Sequence, residues 1–453
     1  MVIEDRKDNW FLRIIAVLIP LVAVFGNYSF FNIRFAGVVL TAYRCLTPLI
    51  FLILIILVFK EYKSETLKLD WHFSDHKMLT VFFIVMAIWL IYGAASLFLF
   101  KYAVFDTGMK ELLVLFLSCM TVISVYIVSR RNCWDYIIMG MKIAVLVTII
   151  IGVCEIFSGR HLITSRFYDP EYVKMVFETT GENALEYRIR IAASVFYNEN
   201  DFSAFVSIMS PLFAADIACK ERFKRYLGLI VTGMIYFVLY SNDAFICLIS
   251  TVIALVVFLI FSHANRRTCI LTALSFIAIR LIILILPLIK SLGYDPSTAL
   301  EASLFEQYNN MEMGYGSMLL RFNTYKVTLR ETFLNTKGLG FGAGSYYNYF
   351  NKFAESEIMM RNPHNYWLEV LSEYGVIIFA VYVVLLTLLF YVLIRRVTKF
   401  DRPKAAMIIG MGSALIFASV APSSYLMQTY YWIPIALAIY LADNYFCFEK
   451  KKK

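Results

Sequence analysis

Apolar runs of about twenty residues recur along the whole chain. Each is long enough, as a helix, to cross the ~30 Å hydrocarbon layer of a bilayer. They fall at about 10–29, 36–59, 78–100, 109–128, 135–157, 201–219, 227–242, 244–262, 268–290, 372–394, 405–421 and 427–446. In lipid a backbone must satisfy its own polar groups, so each run is expected to be helical. The pattern predicts one all-α polytopic membrane domain of about twelve transmembrane helices over residues 1–453. Composition agrees, with 60% hydrophobic residues and a mean hydropathy of +0.69.

The net charge of +9 suggests nucleic acid at first sight, but the placement of the basic residues argues otherwise. They crowd into alternate short connections at 60–77, 129–135, 220–226, 262–268 and 395–404 and at both ends of the chain. This is the positive-inside pattern, and it predicts cytoplasmic termini. Arg6, Lys7 and Arg13 flank the first run without a convincing cleavage site, which predicts an uncleaved first span. Two long segments, 158–200 and 291–371, then face the outside, extracellular or periplasmic. The eight Cys form no CxxC pair and avoid both long segments. They read as small packing residues, neither a disulfide framework nor a zinc site.

The larger outer segment holds most of the chemistry. Apolar residues spaced through 317–335 predict an amphipathic helix on or just above the membrane, and a short helix is expected over 172–187 in the first segment. Gly338 to Gly375 follows, with a cluster of Gly and with His364 beside Pro363. The glycine run lacks the Lys-Ser/Thr of a phosphate-binding loop, so tight turns or close backbone approach to substrate explain it better. Tyr346, Tyr347, Tyr349, Phe350, Tyr366 and Trp367 are expected either to stack on sugar rings or to form an interfacial belt. Arg188, Arg190, Arg321, Lys326, Arg330, Lys337 and Arg361 supply outer positive charge, which suits phosphate or lipid headgroups. Within spans, Lys142 and Asp216 are expected to snorkel. Arg44 and Arg280 are expected either to pair structurally or to hold an anionic lipid group. No Asp-x-Asp and no acidic pair stands in an outer loop, so no metal and no cofactor is expected.

Four motifs in order resemble those of the O-antigen ligase and polymerase family, which includes capsule, exopolysaccharide and teichuronic acid polymerases. They are Arg190 followed by VFYNENDFSAF, Arg321 followed four residues on by Tyr325, the turn Gly338 to Gly344, and Pro363-His364-Asn365-Tyr366 with Glu373 and Gly375. The chain departs from the family in three places. Asn-Glu-Asn replaces Asn-Pro-Asn at 198–200, Tyr325 replaces a Trp, and the Arg expected near Asn242 is missing.

The resemblance implies a GT-C-like, metal-independent membrane glycosyltransferase acting at the outer face of the membrane. Its donor would be an undecaprenyl-pyrophosphate-linked oligosaccharide. Its partners would be membrane lipid, a chain-length regulator and a flippase, with no nucleic acid. It implies catalytic roles for His364, Arg321 and Arg190. It also implies substrate contacts from Arg188, Asn198, Asn200, Asp201, Arg280, Tyr325, Gly340, Gly342, Arg361, Asn365, Tyr366 and Glu373. An imidazole, titrating near pH ~6.5, suits removal of a proton from the attacking hydroxyl. Guanidiniums suit charge building on a departing pyrophosphate. Glu373 is expected to orient His364 or the acceptor. Polymerase is the first reading; a ligase of the same family and a lipid-linked sugar transporter or flippase are the alternatives. A transporter would be expected to show two similar halves, and none is visible.

Overall fold

The computed structural model describes residues 10–26, 34–35, 38–63, 76–164, 191–285, 317–352, 363–422 and 428–452, with isolated positions at 168, 170, 171, 173, 174, 177, 424 and 426. The helices are α1 (Trp10–Phe25), α2 (Ala42–Lys63), α3 (Lys77–Leu99), α4 (Phe105–Arg130), α5 (Trp134–Ser158), α6 (Glu199–Met209), α7 (Pro211–Ala218) and α8 (Arg222–Ser241). They continue as α9 (Phe245–Ser262), α10 (Arg266–Ile285), α11 (Ser317–Thr336), α12 (Tyr346–Lys352), α13 (Tyr366–Val392), α14 (Arg402–Ala418) and α15 (Trp432–Lys452). Among the described residues, eight helical stretches are long and apolar enough to cross a membrane: α2 to α5, the α6–α7 pair, α8, α9 and α13 with its extension to Phe400. The other four predicted spans also coincide with helices. Of these, α1 and α14 are short and α15 is interrupted by Asp443 and Asn444, while the side chains of α10 from residue 278 on lie outside the described residues. The short helix expected over 172–187 is described only at 173, 174 and 177, all helical.

Three of the boundaries that differ from expectation have a local cause. The second span does not start at 36. A two-residue ladder pairs Arg34 with Val39 and Phe35 with Val38. Helix α2 then begins at Ala42, where the Thr41 hydroxyl accepts the Arg44 N–H at 3.3 Å in N-cap fashion. The sixth span is broken at Ser210–Pro211, because Pro has no N–H to continue the ladder and fits best at the start of a new helix. Helix α13 starts at Tyr366, ahead of the expected 372. Asn365 caps it by accepting from Trp367 N–H at 3.1 Å and Leu368 N–H at 3.2 Å.

The intramembrane charges are handled by partners. Lys142 and Asp216 do not snorkel separately; they pair at 2.5 Å between α5 and α7. Glu155, buried at the end of α5, accepts three backbone N–H groups: Leu162 at 2.8 Å, Ala193 at 3.0 Å and Ser194 at 2.7 Å. It thereby fixes the strand of chain that leads into α6. Arg280 lies in α10, and its side chain is outside the described residues.

The two ends of the bundle differ in character. At one end the basic connections meet: Arg131 pairs with Glu61 at 2.7 Å, Arg402 contacts His263, and Lys404 lies over Trp134. At the opposite end the α3–α4 connection meets the residues before α12, Val104 N–H donating to the Ser345 hydroxyl at 3.0 Å.

Candidate active site

The glycine turn is built against a break in α13. Gly375 has φ 76° and ψ 177°, a region open to Gly alone, and it interrupts the helix. Val376 N–H donates to Gly338 O at 2.9 Å, Phe341 N–H to Ser372 O at 2.8 Å, and Gly342 N–H to Glu373 O at 3.0 Å. A Cβ on Gly340 would meet Glu373 O at 2.5 Å, and one on Gly375 would meet Gly338 O at 2.5 Å. Gly340 and Gly342, expected beside substrate, thus serve a backbone-to-backbone packing; Gly340 N–H is also bound, to the Thr336 hydroxyl at 3.0 Å. The carboxylate of Glu373 completes the turn, accepting from Gly344 N–H at 3.2 Å and Tyr346 N–H at 3.1 Å, beside Glu111. It holds the turn rather than His364. Tyr346, Tyr349 and Tyr366 are buried, so they neither face sugar nor form a belt. Tyr349 stacks on Phe341 with ring centroids 3.9 Å apart, while Tyr347 is exposed.

His364 sits between this scaffold and α14. Its φ of 44° is left-handed, a costly state for a non-Gly residue that tertiary contacts must maintain. The Tyr325 hydroxyl, from α11, donates to the His364 carbonyl at 3.1 Å. The imidazole Nδ1 lies 3.3 Å from Ala421 O. A carbonyl only accepts, so Nδ1 carries the proton in that contact. In the neutral ring the lone pair is therefore on Nε2.

Arg321, one helical turn before Tyr325 on α11, donates from a terminal nitrogen to Val420 O at 3.4 Å. Tyr366 N–H donates to Ser419 O at 3.1 Å. Three successive carbonyls at the end of α14 are therefore taken by an α13 amide, a guanidinium and an imidazole. A helix C-terminus carries partial negative charge and favours cations there. The Nε of Arg321 is buried and has no hydrogen-bond partner among the described residues. Burial raises the Tyr325 phenol above its ordinary value, so it stays a donor through the neutral range.

Helix α14 also packs against α6. Asn198 caps it, accepting Asn200 N–H at 2.8 Å, and Asp201 is buried. Tyr430 donates to Asp201 O at 3.4 Å and packs on Phe196 and Phe205. Asp201 and Arg321 both lie within electrostatic reach of Cys247 at the start of α9. Asn242, near which the family Arg is missing, bonds Ala192 N–H and O and the Ser203 hydroxyl. The structure thus brings together His364, Arg321, Tyr325 and Asn365, with Asp201 linked to Arg321 only through their shared neighbour Cys247. Arg188, Arg190 and Arg361 lie outside the described residues.

Sequence reasoning missed the segment 419–431. Besides its carbonyls, it presents Ser424 and Leu426 N–H to the Glu369 carboxylate, and the Tyr431 hydroxyl meets Tyr366 at 2.8 Å. The only sequence signal is Pro422 in the short connection between the last two expected spans and the run Tyr430-Tyr431-Trp432 at the start of the last one. Among the described residues, no group of three or more His, Cys, Asp or Glu is placed to hold a metal.

The O-antigen ligase family profile matches residues 226–383, which include Arg321, the glycine turn, His364 and Glu373. The chain is similar to the teichuronic acid biosynthesis protein TuaE of Bacillus subtilis (strain 168), 23% identical over 445 residues, covering 96% of this chain and 84% of that protein. No solved structure matches it significantly. The chain is thus an all-α polytopic membrane protein whose residues 226–383 are similar to the O-antigen ligase family.

Proposed function

We propose that this enzyme is a polysaccharide polymerase. It transfers glycan from an undecaprenyl-pyrophosphate-linked donor to the terminal sugar of a lipid-linked acceptor, without a metal, at the outer face of the plasma membrane. The observation that carries the reading is the placement of His364 and Arg321 on consecutive carbonyls, Ala421 and Val420, with Arg321 Nε unpartnered among the described residues. The collection of basic connections at the opposite end of the bundle supports the sidedness.

In the reaction, an acceptor hydroxyl attacks the anomeric carbon of the donor. Its proton passes to Nε2 of His364, the new carbon–oxygen bond forms, and the bond to the lipid pyrophosphate breaks. The pyrophosphate leaves with the electron pair, and Arg321 offsets its growing charge. The imidazolium then returns its proton to solvent. No acid is needed for such a stabilised leaving group.

Purified protein in liposomes with a synthetic lipid-pyrophosphate repeat unit tests this on a gel. His364→Ala should lower polymer formation roughly 10²–10⁴-fold while the protein still inserts. Arg321→Ala should cost about 10²–10³-fold. Full-length polymer from either variant overturns the assignment, and transfer to a different acceptor without a ladder identifies a ligase. Activity abolished by a chelator and restored by a divalent cation overturns the metal-free step.

A further inference from the structure

Helix α11 is inside-out. Its inward face is polar: Thr324, Thr328, Glu331 and Thr332 are buried. Thr328 and Tyr346 share a 2.7 Å hydroxyl contact, and Tyr349 donates to Glu331 at 2.7 Å. Its outward face carries an apolar stripe beside the exposed Asn323, Lys326 and Arg330: Phe322 is 67% exposed, Leu329 40%, Phe333 49% and Leu334 71%. Phe322, Leu329 and Phe333 are seven and four residues apart, which makes one stripe on a helix. In water this arrangement would expose the wrong side. Single exposed apolar residues are ordinary, but a stripe opposite a polar core asks for a partner.

Two observations identify that partner. Phe333 and Val376 flank Gly338, where a Cβ would lie 3.8 Å and 3.2 Å from them. Val376 and Ile377 are exposed on α13, a membrane helix, so the α11 stripe adjoins a lipid-facing surface. Lys326 and Lys337, both exposed, border the stripe with positive charge suited to phosphate headgroups.

We propose that α11 is an interfacial helix whose Phe322–Leu329–Phe333 stripe is immersed in the phospholipid leaflet, with Lys326 and Lys337 at the lipid phosphates. Such helices bury their apolar side about 5–10 Å into the headgroup–acyl boundary. Arg321 adjoins Phe322 on the same helix, so it is held near headgroup depth. That depth favours an anion delivered on a lipid over one arriving from solution, a consequence that rests on the donor proposed above.

Full-length protein in liposomes of radiolabelled phosphatidylglycerol and phosphatidylethanolamine tests the immersion. Photoreactive benzoylphenylalanine replaces Phe322, Phe333 or, as the membrane reference, Ile377. No donor or acceptor is added, so a failed glycosyltransferase assignment leaves this readout intact. The expected result is label transferred from lipid to the protein at all three positions. Lys326→Glu with Lys337→Glu should reduce the share taken from phosphatidylglycerol at 322 and 333, but not at 377. Lipid capture at 377 alone overturns the proposal. So does capture of a second copy at 322 or 333, read as a doubled mass.

Discussion

Replacing Tyr325 by Phe keeps the ring and removes only the hydroxyl that donates to the His364 carbonyl at 3.1 Å. A neutral hydrogen bond of this kind contributes about 0.5–1.5 kcal/mol net. His364 is held at φ 44°, and left-handed backbone costs a non-Gly residue about 1–2 kcal/mol. If His364 is the base proposed above, loss of the bond shifts it away from its working pose by at most the energy of the bond. That converts to a fall of about 2- to 12-fold in turnover, since ~1.4 kcal/mol is tenfold. We predict that Tyr325→Phe lowers kcat for polymer formation within this range, with a smaller change in acceptor KM. In the His364→Ala background the same substitution should add nothing, because the group it aims is gone. The assay is initial rate of ladder formation for the four proteins of the cycle. The reasoning is refuted if Tyr325→Phe costs the same factor with and without His364, or if the single variant is as fast as the parent.

Gly375→Ala forces a Cβ to 2.5 Å from Gly338 O and Leu339 O at a backbone angle suited to Gly. Strain alone is about 1–3 kcal/mol, so a clear fall in thermal stability in detergent is expected. Burial opposes the charge on Glu331, but bonds from Tyr349, Arg330 and Asn335 prevail and keep its pKa below the usual carboxylate value. Its stabilising effect should be present above the unfolded pKa and lost as pH falls through the lower folded value. Acid should then speed hydrogen exchange in 346–352, and Glu331→Gln should flatten that dependence. Lys142→Ala leaves Asp216 buried without its 2.5 Å partner, a loss of up to about 3–5 kcal/mol, reduced because Lys142 is partly exposed. Adding Asp216→Asn should recover much of it in a thermal melt.

The spans were legible because lipid leaves a backbone little choice, and apolar runs announce themselves by length. The start of α13 was not, because Glu369 and Glu373 look like solvent residues until their loop partners are known. Lys142 and Asp216 each sit within snorkelling reach of a helix end, so neither sequence position reveals that they bind one another. His364 and Arg321 stood out by side-chain chemistry and motif. What receives them did not: Val420 and Ala421 act through carbonyls, which nearly any residue type supplies. The glycine turn was visible, but its role was legible only from Gly340 pressed against the Glu373 backbone.

The O-antigen ligase match ends at residue 383, while the acceptors of His364 and Arg321 lie at 420 and 421. The matched stretch is therefore not a module that could be excised or grafted with its chemistry intact. A chimera that exchanged 226–383 between relatives would inherit the imidazole and the guanidinium, yet borrow from its host the two oxygens that aim them.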